Sequence, residues 1–263
     1  MSDYDFNYLK DLFEKSKNIS LFESIINNDR VKNILLIDEE INVDGRGNSL
    51  DAHNSSNIFE IENCKILFKN ICFKNGNFYS GGALSIKSSE IEFINCSFLN
   101  NRSHGYGGAI NAVDSSILIK DCEFKSNSSF DYGGAISSED GILKISNTKF
   151  SINESEIGGG SIYNLNGDLD MDNCLFENNF APINGEEIIN QSIEYFDIYA
   201  EIKLDSHHSV AKINNSLFKS NDFKNYDALI FNDNASLDLK NCKISYNKSI
   251  WNRNALEIKL KLC

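Results

Sequence analysis

Proline is nearly missing from this chain, one residue in 263. Proline cannot donate a backbone hydrogen bond, so its scarcity suits a chain whose segments run through continuous ladders and excludes a proline-rich disordered one. Basic residues are also short: 25 Lys and Arg stand against 38 Asp and Glu, a formal charge of −13. That balance excludes nucleic acid and anionic membrane surfaces as partners, since no basic cluster overcomes it. No run of about 18 apolar residues exists, so no transmembrane segment is expected. Met1 to Lys17 carries Asp3, Asp5 and Asp11 with no continuous apolar stretch, so no secretory signal peptide is visible and localisation stays open.

Site chemistry is equally sparse. There is no Ser-His-Asp or Cys-His set, no phosphate loop and no paired CxxC spacing for zinc. The adjacent pair His207-His208 lies on a segment where neighbouring side chains point apart, so it reads as a surface turn. Asp168, Asp170 and Asp172 share one strand face, but Ca²⁺ asks for six to eight oxygens and lysines compete nearby, so a solvated acidic face is expected. The expectation is therefore no catalytic residue, no metal and no cofactor.

What the sequence has is repetition. Gly81-Gly82-Ala83-Leu84 recurs as Gly107-Gly108-Ala109-Ile110, Gly133-Gly134-Ala135-Ile136 and Gly159-Gly160-Ser161-Ile162, each starting 26 residues after the last. In fixed phase with it run Asn95-Cys96-Ser97-Phe98, Asp121-Cys122-Glu123-Phe124, Asn147-Thr148-Lys149-Phe150 and Asn173-Cys174-Leu175-Phe176, each closed by an Asn three residues later. Apolar residues before each Phe alternate (Ile91 and Phe93, Ile117 and Ile119, Leu143 and Ile145, Leu169 and Met171), the period of a strand. A fixed period built from short strands is one coil of a solenoid. The fold class is all-β: a single-stranded right-handed parallel β-helix of about eight coils, right-handed by the crossover preference of parallel strands.

Residues 26 apart then lie directly above one another and form ladders. Phe98, Phe124, Phe150 and Phe176 make a core stack. Asn101, Asn127, Asn153 and Asn179 make an amide row, with those residues in left-handed or turn conformations. Cys96, Cys122, Cys174 and Cys242 share one register as small buried side chains, and of these only Cys96 and Cys122 sit on adjacent coils and could bridge. An outward row, Glu92, Leu118, Lys144, Asp170, Lys212 and Asp238, alternates in sign from Lys144 onward and reads as charge compensation along a sheet.

In domain terms, residues 1–30 are expected to form a helical N-terminal cap. Phe6, Leu9, Leu12 and Phe13 fall at helical spacing, and the capping box Ser20-Leu21-Phe22-Glu23 opens a second short helix. Residues 31–263 form the β-helix, in which a 42-residue gap between Phe176 and Phe218 holds an insertion near 191–206. The last segment, Leu256 to Leu262, reads as an uncapped coil, so either a C-terminal continuation or concentration-dependent self-association is expected. A further outward row, Ser85, Asn111, Ser137, Tyr163, Ile189, Phe231 and Glu257, turns apolar where the insertion emerges. The insertion is expected to dock there, either merely covering the patch or also presenting Tyr195, Tyr199, Glu201 and Lys203 as a ledge for a glycan or protein partner.

The repeated Gly-Gly-Ala-Ile and Phe-x-x-Asn phrases resemble the polymorphic outer membrane protein repeat of chlamydiae and the adhesin-like β-helix repeat proteins of methanogenic archaea. The carriers are Gly81 to Leu84, Gly107 to Ile110 and Gly133 to Ile136, with Phe98/Asn101 and its successors to Phe218/Asn221. The resemblance implies surface display, adhesion to a glycan or surface protein of another cell, and no catalysis. The alternative is a carbohydrate-active enzyme, a polysaccharide lyase or glycoside hydrolase, because such enzymes also use parallel β-helices and fold does not decide function.

Overall fold

The computed structural model describes residues 5–27, 33–182, 187–191, 209–219, 230–245, 251–253 and 257–262. It is a parallel β-solenoid of about seven turns, near the count that the repeat implies, with one short helix at its N-terminus. Each central coil contributes three main strands and a short fourth, as in Leu84–Lys87, Glu90–Ile94, Ser97–Leu99 and Arg102–Ser103. Equivalent strands pair in parallel from coil to coil, Leu84 opposite Ile110, Ile91 opposite Ile117, Phe98 opposite Phe124 and Arg102 opposite Ser128. The first strand type builds a nine-stranded sheet and the short fourth a four-stranded one. The second and third types merge into one eighteen-stranded sheet, because Ser236–Ser245 runs through both.

Inward residues fill the tube. Phe73, Phe98, Phe124, Phe150, Phe176 and Phe218 stack with centroids 4.4 to 5.0 Å apart. Burial of each ring contributes about 1.5–3 kcal/mol, and the offset stack adds to it. Phe68 and Phe93 stand edge-on beside this column.

The helix Phe6–Lys15 covers the first coil with Phe6, Leu9 and Phe13 buried, and Phe13 meets Phe59 edge-on at 5.2 Å. Asp5 caps it, accepting from the Tyr8 N–H. The second helix expected at Ser20 to Glu23 does not form. Asn18–Ser20 is a strand paired with Asn42, Val43 and Asp44, and Ile25–Ile26 pairs with Leu50 and Asp51. Ladder bonds to the next coil outweigh a four-residue capping signal, so the solenoid begins inside the segment assigned to the helical cap. The insertion near 191–206 lies outside the described residues apart from Gln191.

Each central coil turns at four corners, and each corner holds one left-handed residue: Gly107, Asp114, Asp121 and Ser126 in one coil, with φ of 62°, 50°, 55° and 56°. The amide row does not supply this turn, as the sequence pattern suggested. The left-handed residue lies one position earlier, at Asn100, Ser126, Ile152 and Asn178. This frees Asn101, Asn127, Asn153 and Asn179 to point inward, where all four are fully buried. The second glycine of each pair is needed for approach: a Cβ on Gly108 would lie 2.0 Å from the Gly134 carbonyl oxygen of the next coil.

Two amide rows climb the solenoid in opposite senses. In the buried row each Nδ2 donates to the Oδ1 one coil later, Asn101 to Asn127 and Asn127 to Asn153 at 2.9 Å, Asn153 to Asn179 at 2.8 Å. Each of these amides also donates to a carbonyl of the previous coil, Asn127 to Phe98. In the exposed row at the Asn95 corner each Nδ2 donates one coil earlier: Asn95 to Asn70, Asn70 to Asp44, Asn173 to Asn147 and Asn147 to Asp121. The Asn70 amide and the Arg46 backbone N–H hold the Asp44 carboxyl below the usual range.

Candidate recognition surface

The ledge expected from sequence, Tyr195, Tyr199, Glu201 and Lys203, lies outside the described residues, as does the pair His207-His208. The apolar row beneath it is described in part. Tyr163 stays opposite Ile189, and Ile189 opposite Phe231. Tyr163 and Ile189 are 5% and 1% exposed, so they are not an open patch. With Leu165 they form a second apolar cluster outside the tube, against which Tyr132 packs.

The outward charged row keeps its register, Lys144 beside Asp170 and Asp170 beside Lys212. Neighbouring outward rows are tied coil to coil by ion pairs, Lys65 with Glu90 at 3.1 Å and Lys149 with Glu177 at 3.4 Å. Asp168, Asp170 and Asp172 share the exposed face, and Asp172 accepts from the Asn215 amide at 2.6 Å. Among the described residues no group of three or more His, Cys, Asp or Glu is gathered as a metal site would be.

Cys96 and Cys122, the pair placed on adjacent coils, are thiols, as are Cys64, Cys72 and Cys174. Their register does more than fill space. The Cys122 thiol donates to the Lys120 carbonyl at 3.2 Å and accepts from the Cys96 backbone N–H at 3.3 Å. Thr148 and Ser216, at the same position of other coils, make the same two bonds. The position calls for a short side chain that both donates and accepts, which Cys, Ser and Thr satisfy alike. Burial holds the Cys174 thiol up at about 12.

One corner differs from the rest. Between the buried amide row and the glycine pair, three consecutive coils expose an aromatic side chain: Tyr79, Tyr106 and Phe130, at 80%, 40% and 53%. Hydrogen bonds from the His104 N–H to the Phe78 carbonyl and from the Phe130 N–H to the Ser103 carbonyl place Tyr79, His104, Phe130 and Glu156 in one outward column. Around the bend Tyr106 and Tyr132 stack on Tyr163, with centroids 6.3 and 4.7 Å from it. Burial, then the Asp131 carboxylate, raises both the Tyr106 and Tyr132 phenols above their ordinary value. Beside Phe130 lies a cleft of about 190 Å³ lined by Arg102, Ser128, Ser129, Glu154 and Glu156. Sequence reasoning missed this corner. The column reads Tyr79, His104, Phe130 and Glu156, with no residue type repeated from coil to coil, so no periodic signal marks it.

Residues 95–113 match the Chlamydia polymorphic membrane protein repeat. The matched stretch runs from the Asn95-Cys96-Ser97-Phe98 phrase through the Gly107-Gly108-Ala109-Ile110 corner. The matched residues include Phe98 of the stack, Asn101 of the amide row, and Arg102, His104 and Tyr106. No curated protein matches the chain. The solved structure of L. reuteri 53608 SRRP is similar with a TM-score of 0.35 and 11% identity, over 98% of this chain and 99% of that one, a likeness too low to support an argument. Among the described residues no helix is long and apolar enough to cross a membrane.

Proposed function

We propose that this chain is a non-enzymatic, surface-type repeat protein whose work is adhesion or recognition of a partner on another cell. The observation that carries the reading is the aromatic corner. Exposed rings on three successive coils are held on a ladder whose amides, thiols and glycines are committed to folding. Rings so placed bury apolar area on contact and lose little conformational freedom. The polymorphic membrane protein repeat supports the same reading, and the charged outward rows, tied to one another along the sheet, are accounted for without chemistry.

The test is retention. Beads coated with the full chain are washed over cultured cells and extracellular matrix, beside beads carrying an unrelated solenoid. Retention above the control is the expected result. No retention on any surface, or release of reducing ends or unsaturated sugars from a polysaccharide panel by the purified chain, overturns the reading.

A further inference from the structure

We infer that the cleft beside Phe130 is a binding site for one unit of a neutral glycan; this rests on the recognition reading above and names its ligand class. Arg102, Ser128 and Glu154 occupy one outward column on three successive coils. Two coil steps separate Arg102 from Glu154, roughly 9.5 Å of rise. Neither they nor Glu156 makes a side-chain hydrogen bond or ion pair to another described residue. The Ser129 hydroxyl, in the floor of the cleft and 4% exposed, also has no hydrogen-bond partner. Ser155, paired with Ser129 one coil on, shares this state, whereas Asn127 donates to the next coil and Ser103 to the Gly105 carbonyl.

The chemistry of the lining selects the ligand. One open aromatic ring offers a face to the C–H side of a sugar, while a guanidinium and two carboxylates offer donors and acceptors to its hydroxyls. A peptide side chain would want more than one apolar wall. A uronic or sialic acid would meet two carboxylates against one guanidinium, in a chain of charge −13. A neutral, hydroxyl-rich ring is left. Tyr79, two coils below Phe130 in its column, offers a second ring at a spacing comparable with two units of an extended oligosaccharide, and His104 lies between them.

The experiment titrates the full-length chain with neutral gluco-, galacto- and manno-oligosaccharides and with an oligouronate of equal length, by calorimetry. Phe130→Ala, Arg102→Ala and Glu156→Gln are run beside Lys120→Ala, an exposed control on another face, with circular dichroism and melting to confirm the fold. A neutral oligosaccharide is expected to bind, with affinity falling about tenfold or more in Phe130→Ala and Arg102→Ala and unchanged in Lys120→Ala. Absence of neutral binding, preference for the oligouronate, or full affinity in Phe130→Ala overturns the site. Bead retention by the same variants separates the two readings. Cell binding that survives Phe130→Ala sinks the glycan site and leaves recognition standing, whereas wild-type beads that are not retained sink recognition itself.

Discussion

Asn179 donates its side-chain amide to the Glu187 carboxylate, Nδ2 to Oε2 at 2.9 Å, where every earlier member of its row donates to another Asn. The Ser161 hydroxyl donates to the same oxygen at 2.6 Å. Glu187 is fully buried and stands one coil above Ser161, at the position held lower down by Ala83, Ala109 and Ala135. It closes the buried amide row where the glycine pairs give out.

Truncating Glu187 leaves two buried donors without an acceptor. Glu187→Ala is expected to lower stability by about 2–4 kcal/mol, and Glu187→Gln, which retains one acceptor oxygen, by less than half of that. Urea unfolding of both variants followed by circular dichroism checks the ordering; equal losses would place the effect in the carboxylate charge, since Gln keeps the volume.

Ile152 is β-branched and left-handed, with φ of 57°, at a corner where other coils use Asn100, Ser126 and Asn178. Its side chain is half exposed and contributes little burial. Ile152→Asn is therefore expected to raise stability by about 1 kcal/mol, the relief of a strained backbone exceeding the lost contact. A lower melting temperature in this variant would overturn the assignment of strain.

Cys174 keeps its proton to about 12 in the fold, against an ordinary 9.0. The unfolded chain thus binds fewer protons than the folded one between those values, so stability is complete below pH 9 and is lost as pH rises toward 12. Burial also raises the Cys64 and Cys72 thiols, adding to the same trend. Cys174→Ser, which copies Ser216 at this register, is expected to fold normally and to flatten the alkaline loss in urea midpoints measured from pH 8 to pH 11.

Phe124 and Phe130 are six residues apart and should behave oppositely. Phe124 is fully buried, 4.4 and 5.0 Å from the rings below and above it, so Phe124→Ala is expected to cost about 3–5 kcal/mol. Phe130→Ala is expected to change stability by under about 0.5 kcal/mol. Paired melting curves decide this, and a large loss at Phe130 would make that ring structural.

The tube was legible because every coil states it. Phe98, Phe124, Phe150 and Phe176 recur at one spacing in the core, so period, strand and stack could be read from them. The N-terminal strand Asn18–Ser20 was not, since three residues hold too few alternations to show a period against the capping box beside them. Tyr163 and Ile189 were rightly placed outside the tube, but alternation says only which way a side chain points and not whether something lies over it. The hydrogen-bonding role of the cysteine register had a signal in Thr148 and Ser216, which share a donor and acceptor with Cys and little else. The aromatic corner was hidden because Tyr79, His104, Phe130 and Glu156 repeat no residue type from coil to coil.

The opposed senses of the two amide rows bear on how such a chain can change its length. A coil duplicated between Asn101 and Asn179 would extend the buried row toward Glu187 and the exposed row away from Asp44 or Asp121, meeting its neighbours with the same donors and acceptors on both sides. Loss of the coil carrying Glu187 or Asp44 would instead strand a row at the end where it needs a carboxylate. Unequal recombination is thus tolerated between those coils and resisted at the coils that carry Asp44 and Glu187, and the number of aromatic corners offered to a partner is free to vary.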